Sequence, residues 1–240
     1  MTRLCLHSIL RGGTVDGPGV RTVVFVQGCD LACRYCHNRD TWDKGGKLYE
    51  VEDVIELCKK DKAFYGRRGG VTVSGGEPIL QGEALVALCK GLRKEGIHVC
   101  LDTAGSVVDG WTDEILANVD LVLLDIKHAD PDRYRKLTGG DLSTTLAFLE
   151  RIRAYNVPFW IRHVVVEGWT DTEDEIAAVV RLAKGAERIE LNGYHSYGEG
   201  KWGNCGVAYP FAGMKDFDSD RLAKLRDFAD RMLCEVNAEA

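Results

Sequence analysis

No stretch of the 240-residue chain holds the roughly twenty consecutive apolar residues that a membrane-spanning helix needs, and no signal peptide opens it. Those two absences predict a soluble, cytoplasmic protein with no membrane partner. Low-complexity tracts and internal repeats are also missing, which argues against solenoids, arrays and disordered linkers. Nor does one sign of charge dominate: the formal net charge is -6, which disfavours broad electrostatic binding to nucleic acid while leaving room for a local basic pocket. The modest basic run Lys59, Lys60, Lys62, Arg67 and Arg68 reads as a solvated face. What remains is the size of one α/β domain, able to bury somewhat over ~70% of its unfolded surface, with a protein or small molecule as the expected partner.

Cysteine, by contrast, is plentiful. Nine are present, and Cys29, Cys33 and Cys36 fall in one short loop with the spacing CxxxCxxC. A cubic iron-sulfur cluster normally takes four thiolates, so a tight group of three leaves one iron with an open coordination position, as catalytic metal sites generally have. Two blander readings compete. A structural zinc ion would need a fourth ligand, and the nearest, His37, adjoins Cys36 so closely that both could bind one ion only with strain. A disulfide is disfavoured by the expected reducing compartment. Cys5, Cys58, Cys89, Cys100 and Cys234 read as small buried hydrophobes, and Cys205, in a Gly-rich loop, has no assigned role.

After an irregular start, short β-branched runs alternate with amphipathic stretches. Strands are expected over 22–27, 71–74, 97–102, 121–127, 158–166 and 188–194, and helices over 51–64, 83–95, 113–118, 142–154, 174–184 and 219–236. Continuous apolar strands such as LVLLDI imply burial on both faces, hence a parallel sheet with right-handed crossovers. Polar groups gather after nearly every strand: the cysteine loop, SGGEP, DTAG, DIK, Arg162 with His163, and YHSYG. Convergence of such ends on one face favours a barrel over an open doubly wound sheet. The fold class expected is therefore α/β, a partial (β/α)6 TIM-like barrel open on one side, its gap wide enough for something larger than a metabolite. A single domain spans 1–240, with 1–21 an N-terminal extension packing on the barrel, 22–194 the six βα units and 195–240 a C-terminal loop and helix.

The polar motifs have structural as well as functional readings. Gly75 and Gly76 permit positive φ and close backbone approach, which a tight βα connection needs as much as a ligand does; Glu77 follows them. Asp102 and Thr103 sit at a strand end as a helix cap or as oxygen ligands for a cation. Asp125 and Lys127 flank Ile126, so both face the interior if Ile126 faces the helices; there they form a structural ion pair or meet a zwitterionic ligand. Arg162 is an inward charge needing an anionic or carbonyl partner. His195 either contacts a ligand or is a satisfied histidine. Asp16 and Arg21, in the turn-rich segment before the first strand, read as a local pair.

CDLACRYC together with GGEP resembles the radical S-adenosylmethionine superfamily. More narrowly, GTVDGPGVR, CRYCHNRDTWD, VTVSGGEPILQ, GIHVCLDTAG, LLDIK, WIRHVVVEGWTD and YHSYGEGKW, in order along the chain, resemble the glycyl radical enzyme activases of the compact type that acts on pyruvate formate-lyase. The resemblance implies an oxidoreductase in which Cys29, Cys33 and Cys36 hold a 4Fe-4S cluster whose fourth iron is chelated by S-adenosylmethionine. Tyr35 and His37 would flank that cofactor, Gly76 and Glu77 would meet its methionine part, Asp125, Ile126 and Lys127 would line its pocket, and His195 its adenosine end. Asp102 and Thr103 match a monovalent-cation site, and Asp16 and Arg162 match positions tied to the peptide substrate. The implied reaction is reductive cleavage of S-adenosylmethionine followed by removal of a hydrogen from a glycine Cα in a loop of pyruvate formate-lyase, with flavodoxin or ferredoxin as electron donor and a monomeric enzyme. Ala104 and Pro78 depart from the family's usual residues. A radical enzyme acting on another glycyl radical protein or on a small molecule, and a non-catalytic metal or electron-transfer protein, are the alternatives.

Overall fold

The computed structural model describes residues 2–43 and 45–239. Its strands are β1 (Arg3–Gly13), β2 (Arg21–Val26), β3 (Lys47–Glu50), β4 (Gly70–Gly75), β5 (His98–Thr103), β6 (Leu121–Asp125), β7 (Phe159–Val165) and β8 (Arg188–Gly193). The helices are α1 (Val51–Lys60), α2 (Lys62–Tyr65), α3 (Glu83–Lys94), α4 (Thr112–Leu116), α5 (Pro131–Thr138), α6 (Leu142–Ala154), α7 (Glu173–Leu182), α8 (Glu199–Asn204) and α9 (Ser219–Ala238). The strands form one sheet in the order β3-β1-β2-β4-β5-β6-β7-β8, parallel from β2 to β8 and antiparallel through β1 and β3. Among the described residues its two edges, β3 and β8, do not pair, so the barrel is unclosed.

The six parallel strands lie where the apolar runs predict them. The irregular start does not: residues 3–13 form a long strand along β2, and β3 adds a second antiparallel strand outside it. Both were hidden because they lack a clean two-residue alternation: between His7 and Gly12 only Ile9 is partly buried, and Lys47, Leu48 and Tyr49 are all exposed. Helix α5 was also missed, although its boundaries carry ordinary signals. Asp130 caps it by accepting a hydrogen bond from the Arg133 main-chain N–H at 2.8 Å, Pro131 occupies its first turn, and Gly139 ends it in the left-handed region at φ 74°.

Period-two alternation divides the sheet into two surfaces. Val24, Val26, Val71, Val73, Val99, Leu101, Val122, Leu124, Ile161, Ile189 and Leu191 face the helices and form the main core with the inner faces of α1, α3, α6, α7 and α9. Cys100, Leu121, Leu123 and Trp160 make a small apolar plug on the other surface, inside the curved sheet. Above that plug, towards the carboxyl ends of the strands, the inward positions become polar: Ser74, Asp102, Asp125, Arg162 and Glu190. Cys58, Cys89 and Cys100 are buried as expected, but Cys5 is half-buried and Cys234 is exposed on α9. Cys205 ends α8 and is half-buried. In the basic run, Lys60, Lys62, Arg67 and Arg68 are exposed and Lys59 is half-buried.

Candidate functional site

The cysteine loop follows β2 and is pinned from two sides. Gly28 donates its N–H to the Thr41 carbonyl at 2.7 Å, while Ala32 and Arg34 donate to the carbonyls of Thr138 and Leu137 at 2.7 and 2.9 Å. The end of α5 thus sets the loop's height above the sheet. A second apolar cluster surrounds the loop, built from Tyr35, Leu137, Val166, Tyr194, Trp202, Tyr209 and Phe211. The SGGEP turn presses against the loop from below: Gly76 and Glu77 donate to the Val26 and Gly28 carbonyls at 3.0 and 2.8 Å. A Cβ at Gly76 would run into the Gly28 carbonyl, and Gly75, at φ 111°, would bring one into the Val26 backbone. Packing against the loop therefore already demands both glycines, before any ligand is considered.

Cys29, Cys33 and Cys36 all border a cavity of about 720 Å³ at the carboxyl ends of the strands. Asp16, Tyr35, His37, Gly76, Glu77, Asp102, Thr103, Asp125, Lys127, Arg162 and His195 border it too. Ile126 does not. Its side chain is fully buried in the core between sheet and helices, its N–H donates to the Arg162 carbonyl at 3.0 Å and its carbonyl accepts from His163 Nδ1 at 2.6 Å. The alternation that turns Asp125 and Lys127 inward turns the Ile126 side chain away from the cavity.

The same alternation separates Asp102 from Thr103. Asp102 Oδ2 accepts from Ser74 Oγ at 2.7 Å and meets Arg162 Nη1 at 3.2 Å. Thr103 Oγ1 instead donates to Glu77 Oε1 at 2.6 Å and accepts from the Gly105 N–H at 2.9 Å. Glu77 also accepts from the main chains of Ile79 and Ala104 at 3.2 and 3.1 Å, joining the GGEP turn to the DTAG loop. Burial raises its carboxyl to about 7 despite those donors.

Arg162 is the centre of the polar layer. Besides Asp102 it faces Glu190 at 3.6 Å and Asp16 at 4.0 Å. Asp16 thus pairs across the barrel mouth and not with its neighbour Arg21, as the local reading had it. Arg21 is fully buried and donates to Thr72 Oγ1 at 2.5 Å and to the Pro18 and Val71 carbonyls at 2.9 and 2.6 Å. The Asp102 carboxylate, against desolvation, holds the Arg162 guanidinium above its ordinary range. Burial and then the nearby Asp102 push Asp16 up.

At the top of the cavity Lys127 Nζ contacts Asp125 Oδ2 at 2.5 Å and lies 5.6 Å from the Tyr35 ring centroid. Burial is the largest influence and opposes its charge, but Asp125, Tyr35 and Cys33 together outweigh it and keep the ammonium well above its usual range. His37 and His195 stack with centroids 4.0 Å apart, and His37 Nε2 lies 3.0 Å from the His195 carbonyl oxygen. Burial, then the neighbouring His195, lowers His37. Burial raises all three thiols, Cys29 to about 12.

Buried polar atoms without a partner test what this cavity is for. Tyr35 Oη, Asp125 Oδ1 and His195 Nδ1 are buried and have no hydrogen-bond partner, and all three belong to residues bordering the cavity. Unsatisfied groups of this kind are uncommon, and three of the seven among the described residues belong to residues that border this one cavity. The donor set also fits a cubane better than a lone ion, because each thiolate of a cubane binds a different iron. Among the described residues no three His, Cys, Asp or Glu side chains are placed to hold a single metal ion. The residues therefore fit a cluster with a polar organic ligand beside it.

Comparison with known proteins agrees with that chemistry. The chain belongs to the radical SAM superfamily, whose family model matches residues 23–182. Membership implies a 4Fe-4S cluster and S-adenosylmethionine. The chain is 40% identical over 233 residues to the pyruvate formate-lyase-activating enzyme of Clostridium pasteurianum, covering 95% of this chain and 98% of that one. It is 41% identical to the pyruvate formate-lyase 1-activating enzyme of Escherichia coli strain K12, covering 94% and 95%. Within the superfamily, then, its family is that of the pyruvate formate-lyase-activating enzymes. The crystal structure of Streptococcus suis SuiB bound to precursor peptide SuiA shares the fold, with a TM-score of 0.71 at 18% identity over 89% of this chain and 45% of that one. Among the described residues no helix is long and apolar enough to cross a membrane.

Sequence reading missed several residues of this site. Ser74 holds Asp102, Glu190 completes the surroundings of Arg162, and Trp42 and Trp202 contact Cys36. Only for Ser74 and Glu190 was a signal present, as polar residues at inward positions of otherwise apolar strands.

Proposed function

We propose that this chain activates pyruvate formate-lyase by generating a glycyl radical on it, as a single radical SAM domain acting as a cytoplasmic monomer. The observation that carries the reading is three cysteines of one loop bordering a cavity that Tyr35, Asp125 and His195, each with an unpartnered buried polar atom, also border. Near-full-length identity to the activating enzymes supports the choice of protein substrate.

In this reading Cys29, Cys33 and Cys36 hold the cluster. Tyr35, His37, Gly76, Glu77, Asp125, Lys127 and His195 surround S-adenosylmethionine. When bound, the two groups together supply one-electron cleavage of a carbon-sulfur bond and removal of a hydrogen from a glycine Cα, with flavodoxin or ferredoxin as the electron source. The chain's own part is to bind, orient and exclude water. Asp125 has one oxygen committed to Lys127 and the other unpartnered, so it can accept a hydrogen bond from a ligand ammonium while Lys127 faces a ligand carboxylate. A monovalent cation would draw on Asp102, since the Thr103 hydroxyl is engaged on both sides. Asp16 and Arg162 stand at the mouth, where the unpaired edges of the sheet leave a gap for a peptide loop.

The test is anaerobic reconstitution with iron and sulfide, then incubation with pyruvate formate-lyase, a reductant and S-adenosylmethionine. A glycyl radical electron resonance signal on pyruvate formate-lyase is expected. Alanine at any one of Cys29, Cys33 or Cys36 should abolish S-adenosylmethionine cleavage with the fold kept. Cleavage without any radical on the partner, in a fully loaded enzyme, would redirect the assignment to another substrate.

A further inference from the structure

Cys36 is treated differently from the other two cysteines. The indole N–H of Trp42 donates to its sulfur at 3.2 Å, and the main-chain N–H of Asn38 donates to the same atom at 3.3 Å. Among the described residues no side-chain donor reaches the sulfur of Cys29 or Cys33. Trp42 is itself held in place. The Arg39 guanidinium lies over its ring at 4.5 Å, and Trp202 meets it edge-on with centroids 5.2 Å apart and planes at 78°. Trp202 in turn donates its indole N–H to the Cys36 carbonyl at 2.9 Å. Beside it, Lys201 contacts Asn38 Oδ1 at 3.0 Å. Two indoles therefore grip one cysteine, one by its sulfur and one by its backbone.

We propose that Trp42 is a positioning residue that raises the reduction potential of the cluster through Cys36, with Trp202 fixing the backbone on which that bond depends. The proposal rests on the cluster assignment made under Proposed function. Reduction adds one electron, taken from a low-potential one-electron carrier, and no proton; the added charge falls partly on the ligating sulfurs. A donor aimed at one of those sulfurs binds the reduced form more strongly than the oxidised form, which favours reduction. The surroundings sharpen the effect. Trp202, Tyr209 and Phe211 are buried beside Cys36, and an apolar neighbourhood of this kind strengthens the bond the indole makes. Such outer partners commonly tune metal centres as much as the ligands do.

The test compares wild type, W42F, W202F and W111F, each reconstituted anaerobically and assayed for iron and sulfide before an electron-resonance redox titration. W42F keeps an aromatic ring and loses the N–H. Its midpoint should move to more negative values by about tenfold in the reduction equilibrium, or ~59 mV for one electron. W202F should move it less, in the same direction. Trp111, 40% exposed and outside the cavity, should leave it unchanged. Global 5-fluorotryptophan incorporation, which acidifies the indole N–H while keeping the ring, should shift the midpoint the opposite way, and it decides the matter if W42F does not load iron. A fully loaded W42F with the wild-type midpoint overturns the proposal, as does an unmoved midpoint in the fluorinated protein. Wild type that takes up no iron overturns the cluster assignment and this inference with it, a result distinguished by the metal analysis alone.

Discussion

Replacing Arg162 with Met removes the one cation shared by three carboxylates while keeping most of the side chain's volume. Asp102, Glu190 and Asp16 lie 3.2, 3.6 and 4.0 Å from the guanidinium, and the side chains of all four residues are only 16–17% exposed. Breaking a buried ion pair from one side costs roughly 3–5 kcal/mol, because the surviving charge is left uncompensated. The residual exposure argues for the lower end, so about 3 kcal/mol is expected, equivalent to a fall in Tm of roughly 6–12 °C for a chain of this size. The loss should depend on pH with a definite sign. Without the cation, Glu190 keeps only Arg188, at 3.4 Å, and Asp16 and Asp102 are left crowded and unpaired, so the layer binds protons more tightly in the folded than in the unfolded chain. Stability then falls as pH rises and is recovered as the carboxylates protonate on the acid side. Thermal unfolding of the apo protein followed by circular dichroism between pH 5 and 8 reads both effects. Asp102→Asn in the R162M background should restore a large part of the loss, giving a coupling that the double-mutant cycle measures directly. R162M within about 1 kcal/mol of the parent at pH 8, with the parent's pH profile, would refute the charge-layer argument.

Other consequences are equally specific. Gly76→Ala should push the GGEP turn off the Gly28 carbonyl, costing on the order of 2 kcal/mol and lowering iron uptake. Gly110→Ala, where an added Cβ meets nothing, should do neither, and normal loading of G76A would show that the two loops do not press together. Glu77, raised by burial to about 7 from 4.5, binds its proton more tightly folded than unfolded. Its ionisation should therefore remove up to ~3 kcal/mol as pH rises across that interval. Glu77→Gln should flatten this limb of the stability curve, though it also costs hydrogen bonds at every pH; an unchanged limb in E77Q would contradict the assignment.

How much of this was legible in the sequence depended on whether a residue's role is set by its own strand or by a distant one. The apolar runs of β2 and β4 to β8 announce a buried parallel sheet, and the polar residues at their carboxyl ends announce where the chemistry lies. The inward pair Asp125 and Lys127 follows from period two alone. The same rule, applied one residue further, turns the Ile126 side chain into the core and sets Asp102 and Thr103 on opposite faces of β5, although both still border the cavity. Arg162 was readable as a charge in need of a partner, but its partners come from Asp16, Asp102 and Glu190, which are brought together only by the curvature and register of the sheet. Helix α5 carried cap signals that were overlooked, and with it went the element that anchors the cysteine loop. Trp42 lay beyond reach for a different reason. Nothing in its spacing says that a tryptophan six residues after Cys36 will turn back to that sulfur.

Register explains why the charge layer and the fold support each other. Asp125 pairs with Arg162 across β6 and β7, and Arg162 with Glu190 across β7 and β8. In a parallel sheet paired residues face the same side, so the three form a rung of alternating sign across adjacent strands, inside the barrel. Shifting β7 by one residue would exchange its two surfaces. Arg162 would then point into the core between sheet and helices, where no carboxylate neighbours it, and Ile161 would point into the polar layer. Burying an unpaired guanidinium in apolar surroundings costs far more than the local gains that could drive such a slip. Arg162 therefore selects the register that also seats Asp125 and Lys127 beside the cysteine loop. Neutralising it should loosen the site in addition to lowering stability, because the penalty that excludes the slipped pairing disappears with the charge.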